Sequence, residues 1–136
     1  MALLIDITEA VVAQINDSDN DFTAELNLLP EFELKDLKSL KITVVPKALK
    51  FTGETRHDGG REVKIDIGVQ RKCSSDGWNE LLQIVEDITG LFERKRLTEY
   101  PPAVCVGIEN DPVYDPEHLR QYRQFTSVIT LTFKVT

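Results

Sequence analysis

The sequence predicts an α+β fold: a single four-stranded, mainly antiparallel sheet with two helices packed on one face, in the order helix, two strands, helix, two strands. Three observations predict it. Val63, Ile65, Ile67 and Val69 alternate with Lys64, Asp66, Gly68 and Gln70, the period of a strand with one buried and one wet face. Ile129, Leu131, Phe133 and Val135 repeat the pattern against Thr130, Thr132 and Lys134. Trp78, Leu81, Leu82, Val85, Ile88 and Phe92 fall instead at helical spacing and make one apolar stripe.

Taken in order, the first element is a short amphipathic helix from Asp6. Asp6 followed by Glu9 has the spacing of a capping box, and Ile7, Val11 and Ile15 share one face. The polar run 16–21 ends it, because Asn, Asp and Ser side chains compete for backbone hydrogen bonds. Residues 22–40 have mixed periodicity and read as a partly extended connection. Lys41 to Lys47 is β-branched and is expected to stop at Pro46, which has no N–H to give a ladder. With residues 63–71 it would form a long hairpin whose tip holds His57, Asp58, Gly59 and Gly60. The second helix is expected from Trp78 to about Arg96, capped by Asp76, with Arg94, Lys95 and Arg96 at its negative end. Pro101 and Pro102 break the chain before a third strand at 103–109. A turn-rich stretch with a helical candidate around Glu117 to Tyr122 leads to the fourth strand.

The chain has 136 residues, which suits one domain over 1–136 with a real core. Its 41% hydrophobic and 29% charged residues are an ordinary globular mix. No stretch approaches the run of about 18 apolar residues that a membrane span needs, and MALLIDITEA carries acids where a signal peptide carries bases. Synthesis in the cytoplasm is the expectation. Cys73 and Cys105 show no CxxC spacing, so both read as reduced thiols.

The formal net charge of -7 argues against a surface that grips phosphate backbones. Its distribution is uneven. Residues 1–34 hold eight acids and no Lys or Arg, residues 35–72 hold ten basic against five acidic, and residues 73–136 hold six basic against ten acidic.

Catalytic chemistry is sparse. His57 and His118 stand beside no serine or cysteine motif, and each reads as a solvated loop residue. A zinc site would need Cys73, Cys105, His57 and His118 together, with none of the short ligand spacings that mark such sites. Glu62-Val63-Lys64 with Asp58 upstream faintly imitates the acid, acid-x-lysine set of a metal-dependent nuclease. A solvated strand face is the plainer reading, since a three-residue match arises readily in a charged chain. No enzyme, cofactor or metal is expected. The aromatics are scattered over several elements rather than set along one strand as a stacking platform. Tyr114, Tyr122 and Phe125 accompany Arg120 and Arg123 in residues 110–125, a mixture enriched at protein contacts.

Four segments together carry a family resemblance: LPEFELKDLKSLKITVVPK at 28–47, VKIDIGVQRK at 63–72, WNELLQIVEDITGLF at 78–92, and ENDPVYDPEHLRQYRQFTSVITLTFKV at 109–135. The chain resembles the tail-terminator and tail-completion proteins of tailed bacteriophages and prophages, among which head–tail joining proteins have similar size and role. The resemblance implies a virion structural subunit that forms a ring, commonly a hexamer, ending the tail tube and docking the head. Its implied partners are further copies of itself, the tail tube protein and the head–tail connector proteins, with DNA passing through unbound and no membrane involved. A small metal-dependent phage nuclease and a prophage interaction module without a ring are the alternatives. The candidate contact residues are Lys47, Lys50, Arg56, His57 and Arg61 around the hairpin, and Tyr114, Arg120, Tyr122, Arg123 and Phe125 beyond the third strand. A ring uses heterologous contacts, and the acidic residues 1–34 with the basic residues 35–72 are a candidate complementary pair, to be tested by charge reversal at Lys47, Lys50 and Arg56.

Overall fold

The computed structural model describes residues 3–18, 24–26, 40–52, 60–72, 77–110 and 124–135. Two helices and a five-stranded mixed sheet follow one another as α1 (Leu3–Asn16), β1 (Ala24–Leu26), β2 (Lys41–Thr52), β3 (Gly60–Lys72), α2 (Trp78–Phe92), β4 (Ala103–Asn110) and β5 (Gln124–Val135). In space the strands run β1-β2-β3-β5-β4. The α+β class and the placing of both helices on one face hold. The strand count of four does not: β1 is a fifth strand, and it pairs parallel to β2.

The alternation of β3 and β5 sets the core. Paired residues of an antiparallel ladder share a face, and the register joins Val63 to Phe133, Ile65 to Leu131 and Ile67 to Ile129. All six are fully buried, and they form one cluster with Ile7, Val11 and Ile15 of α1 and Leu81, Val85, Ile88 and Phe92 of α2. Phe92 meets Phe133 edge to face, with ring centroids 6.4 Å apart and planes at 86°. Side chains of this size each contribute about 1.5–3 kcal/mol on burial. The side chain of Trp78, read with the same stripe, lies outside the described residues.

α1 begins at Leu3, so Asp6 stands in its first turn rather than capping it, where a negative charge still suits the positive helix end. Asn16 ends the helix and holds β1: the Ala24 N–H donates to its Oδ1 at 2.7 Å, and its Nδ2 donates to the Ala24 carbonyl at 3.2 Å. This clamp, together with pairing of Ala24, Glu25 and Leu26 to Ile42, Thr43 and Val44, makes a strand of three residues possible. Gln14 ties α1 to the far side of α2, its Nε2 donating to the Leu91 carbonyl at 2.8 Å and its Oε1 accepting from the Thr98 N–H at 3.0 Å.

β2 continues past Pro46 to Thr52. The ladder shifts between Pro46 and Ala48, so Lys47 is the extra residue of a bulge. Among the described residues β1 pairs no further than Val44, which leaves Pro46 on an edge of β2, a position at which its missing N–H costs nothing. The hairpin tip at 53–59 lies outside the described residues. α2 stops at Phe92, short of the expected Arg96. Gly77 takes the N-cap position without a side-chain hydrogen bond, Asp76 being outside the described residues, and Arg94 turns the chain with φ 57°. Arg94, Lys95 and Arg96 thus lie beyond the last helical turn. The helical candidate at 117–122 also lies outside the described residues.

Candidate assembly surfaces

The face of the sheet turned away from the helices carries the even-numbered residues of β3 and β5, and it divides into two ends. Toward one end stand Thr43, Val45, Gln70, Gln124 and Thr126, all buried, so the sheet there is covered on both sides rather than wet on one. Gln124 Nε2 donates to Thr126 Oγ1 at 3.1 Å, while Thr43 Oγ1 and Gln70 Nε2 are buried without a hydrogen-bond partner. Toward the other end, Glu62 sits opposite both Lys50 and Lys134, and Lys64 lies between Ala48 and Thr132. These residues are exposed or half-exposed. Asp66 marks the boundary: Thr130 Oγ1 donates to its Oδ1 at 2.6 Å, and Lys47 Nζ stands 3.8 Å from the same oxygen.

The outer surface of the helices has the opposite character. α1 carries Asp6 and Glu9, α2 carries Glu80, Glu86 and Asp87, and neither contains a Lys, Arg or His. Asp17 and Glu93 extend the acidic surface just past each helix. Among the described residues only Glu80 of this set is ion-paired, to Arg71 Nη2 at 3.5 Å. The five strands hold eight Lys or Arg against four Asp or Glu.

At the β4 edge, the chain after α2 returns as a short arm: the Leu97 N–H donates to the Ala103 carbonyl and the Cys105 N–H to the Lys95 carbonyl, both at 3.0 Å. Past the arm, a second bulge between Cys105 and Gly107 leaves Val106 58% exposed. Thr89, Glu93, Arg94, Cys105, Val106 and Asn110 line an open cleft of about 420 Å³ beside it. Burial pushes the Cys105 thiol above its ordinary pKa, against a smaller lowering by a hydrogen bond with the Gly107 backbone. The cysteine is a small buried strand residue, as its spacing suggests, and a neutral thiol is a poor nucleophile.

The residues singled out from sequence separate accordingly. Lys47 and Lys50 lie on the outward face of β2, both exposed. Arg61 is half-buried on β3, opposite Val135 and hence on the helix side of the sheet. Phe125 is a correction: it is fully buried opposite Arg71 at the start of β5, so it packs the core and presents no surface to a partner. Arg56, His57, Tyr114, Arg120, Tyr122 and Arg123 lie outside the described residues, as do Cys73, His118 and Asp58 of the zinc and nuclease sets. Among the described residues no three of His, Cys, Asp or Glu come together. Glu62 and Lys64 share the outward face, with Glu62 between two lysines. The acids of α2 were missed as part of a surface. Their signal was available, since WNELLQIVEDITGLF lacks any basic residue.

Comparison with known proteins finds no matching family model and no matching curated protein. Solved structures do match. One is the sheath/tube terminator of an extracellular contractile injection system, PVC, in its extended state, at 13% identity and a TM-score of 0.47 over 99% of this chain. The chain spans 57% of the length of that terminator.

Proposed function

We propose that the protein is a non-enzymatic structural subunit of a tailed-phage or prophage virion. It forms a ring, a hexamer in the form the sequence resemblance implies, that terminates the tail tube and receives the head, as a tail terminator or head–tail joining protein. The observation that carries the reading is where the resembling segments fall. Residues 28–47 enter β2, 63–72 are most of β3, 78–92 are α2, and 109–135 end in β5, so the resemblance covers the central strands and the helix packed on them. The class named for the PVC neighbour is the class proposed here on sequence and surface grounds alone.

DNA crosses such a ring without being held, which suits a chain of net charge -7, because basic surfaces trap phosphates in a salt-dependent way. The partners are then further copies of the chain, the tail tube protein and the head–tail connector. Negative-stain imaging of the purified protein, alone and mixed with tail tubes, tests this: rings seated on tube ends are the expected result, and bare tube ends would overturn it. Incubation with duplex DNA and Mg²⁺ adds a chemical check, in which cleavage by the wild type that Glu62→Ala abolishes would replace the structural role with a nuclease.

A further inference from the structure

We infer that the two layers of the subunit dock on each other between copies, the outward lysine face of β2, β3 and β5 seating on the acidic outer face of α1 and α2 of a second copy. This rests on the ring-assembly reading above and deepens it by naming the contact. Lys50, Lys64 and Lys134 point away from the core, and among the described residues none is ion-paired. Asp6, Glu9, Glu86 and Asp87 stand on the opposite side of the same core, equally without a cation among the described residues. A single chain cannot bring these surfaces together, because the whole buried cluster lies between them. Among the described residues only Arg71, at the rim, reaches across, to Glu80.

Charge complementarity selects the occupant as a second copy in a defined pose. Sheet against sheet would oppose lysines, and helix against helix would oppose carboxylates, so both two-fold pairings are disfavoured by like charge. Sheet against helix satisfies both surfaces. It is also heterologous: every copy added leaves one lysine face and one acidic face open, the condition for a ring that closes by rotation. The acidic half of the contact comes from both helices, α1 and α2, and not from residues 1–34 alone.

A charge-swap series read by sedimentation velocity tests the contact. Lys50→Glu with Lys134→Glu, and separately Glu9→Lys with Glu86→Lys, should each raise the apparent dissociation constant for self-association by about tenfold to a hundredfold. Combining all four in one chain exchanges the two charges and should restore association to within about threefold of the wild type. Thermal melts confirm folding, and Lys50→Gln with Lys134→Gln stands in if the reversed sheet variant does not fold. An assembled wild type whose association either pair leaves unchanged, or a four-fold variant that stays dissociated, overturns this contact while leaving the ring reading intact. A wild type that is monomeric throughout and does not cap tubes overturns both. If the sheet variant self-associates normally but loses tube ends or duplex DNA, the lysine face belongs to that other partner, and the inference fails.

Discussion

The two ends of the outward sheet face look alike in sequence and differ in the fold. Both alternate polar with apolar residues along the same strands. At one end Thr43, Gln70, Gln124 and Thr126 are buried, two of them with polar atoms lacking partners, whereas at the other Lys50, Glu62, Lys64 and Lys134 keep contact with solvent. The residue types already differ. Amides and hydroxyls fill the buried positions, while the charges on this face, Lys41 and Glu25 at the first end included, keep contact with solvent, as the much larger cost of burying a charge requires. Alternation reports which residues share a face, while the kind of polar group reports whether that face is wet.

Substitutions that exchange the two chemistries break this comparison most sharply. Gln70→Glu, which buries a carboxylate opposite Lys41, a cation already engaged by Glu25, should cost about 3–5 kcal/mol by urea denaturation. The deficit should shrink as pH falls, because protonation discharges the group. An equal loss at every pH would mean that the site is wet. Asp66→Asn, at the boundary, removes the Lys47 ion pair and weakens the bond from Thr130, for a loss of about 1 kcal/mol in the same measurement. Thr43→Val replaces a buried hydroxyl without a partner by a methyl group and should stabilise by about 0.5–1 kcal/mol, raising the midpoint at unchanged slope. Lys134→Gln at the open end should shift stability by less than about 0.5 kcal/mol, since an exposed charge away from any packed feature contributes little. A larger loss there would show the open end to be packed within a single subunit.

The strong periodicities were legible and the exceptions were not, for identifiable reasons. Ile7, Val11 and Ile15, the odd residues of β3 and β5, and the stripe of α2 announce the core, because 3.6 and 2 are unambiguous periods over that length. β1 has three residues and no period to read; it exists through the Asn16 clamp and a parallel partner far along the chain. Pro46 reads as a strand end only if β2 is flanked on both sides, and among the described residues nothing pairs with it there on the β1 side. The helix end at Phe92 depends on Arg94 entering the left-handed region, which nothing in an Arg-Lys-Arg run signals. Among the surface residues, Lys47 and Lys50 were found from composition, while Phe125 was taken for a contact because an aromatic beside arginines suits an interface as well as it suits a core. Segment charge located the acids of α1; it took the fold to place those of α2 on the same surface.

The Gln14 amide has a consequence for how the chain comes together. Its two bonds close separations of 77 and 84 residues. During synthesis α1 can meet β1 and β2 early, but its seat stays incomplete until Leu91 and Thr98 exist, and part of the stripe of Ile7, Val11 and Ile15 is uncovered for that interval. Loops of this length close slowly, and an apolar stripe left waiting is open to the wrong partner. Asp6 and Glu9, with no base on the helix, set like charges against each other wherever two unseated copies of α1 approach.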